Sequence, residues 1–371
     1  MAFTSNEILK EAVNLWCTKR SEALTKYGPI SEWDVSGVTN MCGLFQRQKD
    51  FNDDITRWNV SNVKDMSSMF QQAAAFNQPI GSWNVSNVTD MHDMFREASA
   101  FNQPIGSWNV SNITFIFGMF ACAAAFNQPI GSWNVSNVTI MTDMFYQAAA
   151  FNQPIGSWNV SNVTDMRSMF REAAAFNQPI GSWNVYNVTN MFGMFWNASA
   201  FNQPIGSWNV CNVKDMSSMF QATQWNGATK KMTFNQPLGG WNVSNVTDMR
   251  SMFQQSVAFN QPIGSWNVFH VTDMRCMFNK AAAFNQPIGR WNVSNVTDMY
   301  GMFQEASAFN QSIGSWIVCN VIDMGNMFHK AAAFNRPIGS WNISNTANVT
   351  GMLDPHMMHL LGKKECSCFF W

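Results

Sequence analysis

Residues 76–95 read FNQPIGSWNVSNVTDMHDMF, and close copies of this stretch recur along the chain. The Phe that opens each copy falls at positions 51, 76, 101, 126, 151, 176, 201, 234, 259, 284, 309 and 334. Every step is 25 residues except the step of 33 residues between Phe201 and Phe234. A period of this length is typical of solenoids, in which each unit buries its apolar side against its neighbours. The sequence therefore predicts one tandem array.

A single copy predicts a turn, a short strand and a short helix. Residues 83–85 alternate apolar and polar side chains, as a half-buried strand does. Met91, Met94, Phe95 and Ala98 follow at the i, i+3, i+4, i+7 spacing of one helix face. We therefore predict an α/β repeat solenoid with one short parallel strand and one short helix in each unit.

The ends of the chain differ from the repeats. Residues 4–20 carry apolar side chains at helix spacing, and we predict that they form a helix. We assign residues 1–25 to an N-terminal helical cap and residues 26–353 to the repeats, with an insertion at about 223–231. Residues 354–371 form a C-terminal tail.

Composition and charge exclude several classes of protein. Lys and Arg number 22 against 23 Asp and Glu, so the chain lacks the positive charge that nucleic-acid binding requires. No stretch approaches the roughly 20 apolar residues of a membrane-spanning helix. Residues 1–10 lack the basic start and apolar run of a signal peptide.

The repeats resemble those of the BspA-like leucine-rich-repeat surface proteins and related bacterial surface lipoproteins. The form Ile-x-x-Trp-x-Val-Ser-Asn-Val-Thr-x-Met-x-x-Met-Phe, seen at residues 155–170, carries the resemblance over residues 26–353. The resemblance implies a right-handed coil like that of leucine-rich repeats and a role in adhesion or recognition at the cell surface. The chain departs from the family in having Asn for the usual strand Asp in most copies, with Asp at Asp34, and we expect neither a secretory signal at its start nor a recognisable anchor at its end.

Two polar columns are expected to be structural. Asn87, Asn112, Asn137 and Asn162 share one offset, where amides can satisfy one another and the loop backbone. A second column of Asp is interrupted by Phe115 and Ile140, which favours helix capping over calcium binding.

One variable face of the repeat carries the candidate binding residues. Positions 9, 13 and 14 after each Trp are polar in most copies, but several central copies have aromatic and cationic residues there. These residues are Phe117, Tyr146, Arg167, Arg171, Phe192 and Trp196. Such residues dominate interaction hot spots, so we predict that they form an exposed binding patch. Trp225, in the insertion, is a further candidate because loops that project from solenoids often carry recognition.

No arrangement of residues indicates catalysis or a cofactor. A weak zinc candidate is the tail set of His356, His359, Cys366 and Cys368, whose spacing fits no standard pattern. We therefore expect a non-enzymatic scaffold that binds a protein or a glycan. The alternative is a structural surface protein that binds glycan or ice through a flat, neutral face of Asn, Ser and Thr.

Overall fold

The computed structural model describes residues 1–225, 228–229 and 232–362, and it divides into two compact units. The first unit is Met1–Pro179 and the second is Ile180–Trp371. Within each unit the repeats form a solenoid, in which each copy of the sequence makes one coil.

The first unit begins with two helices, α1 (Asn6–Thr18) and α2 (Arg20–Tyr27), followed by a 3₁₀ turn at Ile30–Glu32. The buried face of α1 includes Trp16, whose ring meets the edge of Trp33 with 5.7 Å between centroids. Trp33 is the first indole of the repeat, so α1 covers the open end of the apolar core. Ile8, which the helix spacing placed on the inner face, is exposed.

Identical side chains of successive coils stack into internal columns. The Trp, Met, Phe, Val and Ile positions of the repeat are almost fully buried in both units. Equivalent rings lie 5.4 Å apart at Phe45–Phe70 in the first unit and 6.3 Å apart at Trp316–Trp341 in the second. The indole of Trp108 donates to the carbonyl of Ile80 at 3.2 Å, and most other indoles of the column make the same bond. The predicted apolar core is therefore correct at the level of individual columns.

The short helix that the sequence predicts for each repeat is not formed within the described repeats. After the Asp position the chain makes a series of overlapping turns, such as Met69 N to Met66 O at 3.2 Å. Alternate amides point to the next coil instead, as in Ser68 N to His92 O at 2.8 Å and Phe70 N to Met94 O at 2.9 Å. An amide that bonds to the next coil cannot bond to the carbonyl four residues back, so the helix is replaced by turns.

Left-handed backbone conformations also exclude a helix here. Ser68 has φ of 54° and Gln72 has φ of 62°, and the equivalent residues of other coils repeat these values. The i, i+3, i+4, i+7 stripe still faces inward, because the turns place the same four side chains on one side as a helix would.

The predicted strand is replaced by single bridges at a different position. Residues 83–85 form no strand, although Trp83 and Val85 are buried and Asn84 is exposed as predicted. Parallel pairing between coils occurs instead at the Asp column, for example Asp65 with Asp90 in the first unit and Asp273 with Asp298 in the second. The two strands of the described residues, β1 (Gln224–Trp225) and β2 (Ala228–Thr229), pair antiparallel within the insertion.

The second unit ends in a 3₁₀ helix, Pro355–Leu361, whose Leu360 carbonyl accepts the amide of Ile338 at 2.9 Å. This segment covers the last coil. Residues 363–371 of the predicted tail lie outside the described residues.

Candidate functional site

Side chains of the Asp column accept backbone amide hydrogen bonds within their own coils. Oδ1 of Asp215 accepts the amide of Ser217 at 2.8 Å, and Oδ1 of Asp298 accepts the amide of Tyr300 at 2.9 Å. The side chain therefore caps a turn, as predicted, but the turn is an Asx turn instead of a helix start. Arg275 lies between two members of the column, with Nη2 2.9 Å from Asp273 Oδ2 and Nε 3.5 Å from Asp298 Oδ2.

Burial raises the pKa of Asp298 above its ordinary value of 3.8, and the neighbouring carboxylate of Asp273 adds to this rise. Because the folded-state pKa lies above the unfolded value, ionised Asp298 opposes folding at neutral pH. This opposition disappears as the pH falls through the raised pKa and below the unfolded value.

Asp298→Asn is therefore expected to raise Tm at pH 7 by about 1–2 °C, because the amide keeps an oxygen for Tyr300 N and removes the charge. Asn190 and Asn348 already occupy the same column. Thermal unfolding of both proteins between pH 7 and pH 3.5 tests this: the gain should shrink as the pH falls. A lower Tm for the Asn variant at pH 7 would mean that the ion pair with Arg275 outweighs the burial.

The Asn columns bond mainly to backbone. Asn87 Nδ2 donates to the carbonyl of Ser61 at 2.8 Å, and Asn112 Nδ2 donates to that of Ser86 at 2.7 Å, each reaching the preceding coil. A second Asn column behaves similarly, since Oδ1 of Asn77 accepts the amide of Asn102 at 2.9 Å. Both columns hold coils together, and for the Asn87 column this agrees with the structural role expected of it.

The candidate residues of the first unit are engaged with their neighbours. Phe117 is half-buried and stacks on His92 with 4.6 Å between ring centroids. Half-buried Tyr146 lies beneath the guanidinium of Arg171, whose Cζ is 5.4 Å from the ring centroid. Arg167 is exposed and pairs with Asp165, with Nη2 2.7 Å from Oδ2. The structure thus packs Phe117 and Tyr146 against side chains of adjacent coils, whereas Arg167 is exposed and pairs within its own coil.

The second unit holds the remaining candidates. Phe192 and Trp196 are both half-buried and meet edge to face with 6.3 Å between centroids, so they share one face as the sequence predicted. Trp196 Nε1 lies 3.4 Å from Thr223 Oγ1. Trp225 belongs to β1, and its side chain lies outside the described part of the structure.

More strongly exposed apolar side chains lie at positions that the sequence reasoning passed over. In the second unit, Phe269 is 41% exposed, Ile317 59% and Ile322 65%. The coil that contains Trp291 carries Ser294, Asn292 and Thr297 at these three positions. The other exposed large apolar side chains of the described repeats are Phe115, Tyr186 and Tyr300. Tyr300 stands at variable position 9, and a comparison of every column of the repeat would also have found the other five.

The described part of the tail offers no metal site. His359 Nδ1 lies 2.9 Å from the carbonyl of His356, and its Nε2 lies 3.2 Å from Asn335 Oδ1. Cys366 and Cys368 lie outside the described residues, so the four-residue zinc candidate stays a prediction. Across residues 1–225, 228–229 and 232–362, no three His, Cys, Asp or Glu side chains are grouped to hold a metal ion.

Cysteine reactivity is low where the thiols are buried. Burial raises the pKa of Cys276 to about 11, so this thiol is protonated at neutral pH.

No helix among the described residues has the length and apolar character to span a membrane.

Similarity to solved structures is weak. A chain of the Toll–Spatzle complex from Drosophila matches with 9% identity and a TM-score of 0.20, covering 76% of this chain and 46% of that one. A chain of the TLR13–ssRNA13 complex matches with 8% identity and a TM-score of 0.18, covering 82% of this chain and 41% of that one. The chain thus spans less than half the length of either protein, and likeness at these TM-scores carries no conclusion.

Family membership rests on sequence. Among curated proteins, none matches the chain. The family DUF285, described as a Mycoplasma protein of unknown function, matches residues 16–132, 114–232, 225–299 and 262–358. Because these matches follow the repeats from the end of α1 to the last coil, the chain belongs to the DUF285 family.

Proposed function

We propose that the chain is a non-catalytic repeat scaffold that binds a protein partner through its apolar surface, defined as Phe269, Ile317 and Ile322 of the second unit. The exposure of these three side chains carries the proposal. They stand where Ser294, Asn292 and Thr297 stand in a neighbouring coil, so the coil itself does not require an apolar residue there.

Large apolar side chains at exposed positions gain free energy when a partner covers them, at roughly 25 cal/mol per Å² of apolar area removed from water. Aromatic side chains are enriched among the residues that dominate interface energies. Ile317 and Ile322 lie in the same coil, which concentrates the apolar area in one part of the unit.

The resemblance to BspA-like surface proteins directs the proposal toward a partner in adhesion or recognition at the cell surface, on a coil related to leucine-rich repeats. The further candidates for partner contacts are Phe117, Tyr146, Arg167 and Arg171 of the first unit, and Phe192 and Trp196 of the second. The half-burial of all of these except Arg167 favours the apolar surface as the first one to test.

The test replaces the three apolar residues with the residues that a neighbouring coil carries at the same positions. The triple variant Phe269→Ser, Ile317→Asn, Ile322→Thr is expected to lose binding to the partner by at least tenfold, because it removes the apolar anchors. Its Tm should stay within about 2 °C of the parent, since other coils fold with these residues. The partner is identified by proximity labelling in cells and purified, and its affinity for both proteins is measured by calorimetry.

Tyr186→Ser is the matched control. Tyr186 is 48% exposed and occupies the same column as Phe269 in a coil outside the apolar surface. This variant should bind the purified partner as the parent does. Equal affinity of the parent and the triple variant would refute the apolar surface as the docking site.

A further inference from the structure

A groove lined by both polar and apolar atoms crosses three coils of the second unit. Its volume is about 910 Å³, within the range of small-ligand sites. Its polar lining comprises Ser265, Asn267, Asn292, Gln311, Ser312 and Ser315, together with Arg290. Arg290 is the one charged residue of the lining, and neither Asp nor Glu contributes to it.

Two departures from the repeat meet in this groove. Arg290 stands in a column that holds Ser265 and Ser315 in the coils on either side. Ser312 stands in a column that holds Pro287 and Pro337. The Ser of the first column normally ties two coils, as Ser265 Oγ does by donating to Gly239 O at 2.9 Å. Arg290 gives up this bond, so the replacement is not explained by coil stacking.

The groove presents hydrogen-bond donors. Arg290 is exposed, and no carboxylate pairs with it among the residues that the structure describes. Oδ1 of Asn267 accepts the amide of Phe269, and Oδ1 of Asn292 accepts that of Ser294, both at 3.2 Å. These bonds orient both exposed amides and leave their Nδ2 groups for a ligand. The Ser312 hydroxyl adds a further donor.

We propose that this groove binds an acidic oligosaccharide, with a sugar carboxylate on Arg290 and neighbouring sugar hydroxyls on Asn267, Asn292 and Ser312. A guanidinium suits a carboxylate because it can donate two parallel hydrogen bonds. The remaining donors match a ligand that is rich in oxygen acceptors along its whole length. This proposal rests on other side chains than the apolar surface, although Ile317 continues the column of Asn267 and Asn292 in the next coil.

An acidic peptide fits the same groove less well. Peptides dock by adding a strand to a sheet edge or by inserting apolar anchors into pockets. The groove offers neither, because its lining residues lie in turns that form no sheet edge and the Trp266 ring is buried within the coil.

The test measures saccharide binding by calorimetry on the full chain. The probes are hyaluronan oligosaccharides, which carry uronic acids, and sialyllactose, which carries a sialic acid; the two distinguish the source of the carboxylate. At least one should bind, and carboxyl-reduced hyaluronan or lactose, respectively, should bind at least tenfold more weakly. Arg290→Ser should lose the same factor, while folding is kept because Ser restores the column.

Arg57→Ser provides the matched control. Arg57 is exposed and occupies the same position of the repeat in the first unit, next to Ile55 and Trp58 of its own coil. Its replacement should leave the affinity unchanged. The proposal is overturned if neither acidic saccharide binds at millimolar concentration, if Arg57→Ser weakens binding as much as Arg290→Ser, or if a poly-glutamate peptide of equal charge binds as tightly as the saccharides.

Discussion

Phe120→Ala is expected to lower the free energy of unfolding of the first unit by about 3–5 kcal/mol, one of the two largest effects we expect from a single substitution. The Phe120 ring is fully buried and lies 3.9 Å from Phe126, centroid to centroid. It also lies 5.8 Å from the equivalent rings Phe95 and Phe145 of the adjacent coils. Truncation therefore opens a cavity that touches three coils at once.

The measurement is urea unfolding followed by Trp fluorescence, because Trp133 lies 6.2 Å from Phe120 and reports on the same column. Each coil of a solenoid is stabilised mainly by its two neighbours, so the loss at one ring weakens both interfaces. We expect the transition to move to lower urea concentration and to broaden, as the damaged coils separate from the rest of the unit.

Phe115→Asp in the same coil is the control. Phe115 is 44% exposed and stands in the Asp column, where an Asp would supply the Asx-turn acceptor found in other coils. The free energy of unfolding should change by no more than about 0.5 kcal/mol. If Phe115→Asp destabilised the unit as much as Phe120→Ala, the division between internal and external columns would be wrong.

This division could be predicted from sequence because every coil meets a near copy of itself. A residue type that recurs at one offset must be compatible with its own image above and below. Trp83, Met94 and Phe95 satisfy this by stacking inside, and the offsets that tolerate unrelated residues lie outside. The repeat pattern therefore predicts which columns of side chains are buried, but it does not predict the backbone conformation.

The backbone was harder to predict because helical and turn geometries bury the same stripe. The sequence nevertheless contains evidence against a helix. This evidence lies ten residues after each Trp, one residue after variable position 9. That column holds Gly43, Gly118, Gly193, Gly301 and Gly351, and Ser, Asp, Asn or Cys in the other copies. In the structure these residues have φ near +60°, which Gly, Asn and Asp tolerate best and which a right-handed helix forbids. Recurrent Gly within an apparent helix was the evidence for turns.

The candidate surface was harder still, because exposure depends on which way each turn points its side chains. Phe117 and Trp196 were expected on a solvated helix face, but the turns lay them along the coil surface, where they are half-buried. Phe269 and Ile317 lie in the segment assigned to the strand and its following turn, and the turns there direct them outward. Residue type alone does not contain this information.

Gly206→Ala is expected to destabilise the second unit by about 3 kcal/mol, through overpacking instead of a cavity. A Cβ on Gly206 would lie 2.5 Å from the carbonyl oxygen of Pro237 in the next coil. The obstacle is backbone, so a side-chain rotation cannot relieve it and the two coils must move apart. That movement would weaken the adjacent stacking of Trp208 on Trp241, whose rings now lie 6.5 Å apart.

The comparison that isolates this cause is Gly240→Ala, in the coil that follows. A Cβ on Gly240 would meet only the Gly206 carbonyl oxygen, at 3.7 Å, and other coils carry Ser at its position. Its Tm should equal or slightly exceed that of the parent, because Ala reduces the freedom of the unfolded chain. Calorimetry measures Tm for both variants. If Tm falls for Gly206→Ala but not for Gly240→Ala, the close approach of two coils is the reason that position 206 requires Gly. Equal losses at both positions would instead point to a general need for backbone freedom in this turn, and the contact with Pro237 would no longer account for the Gly column.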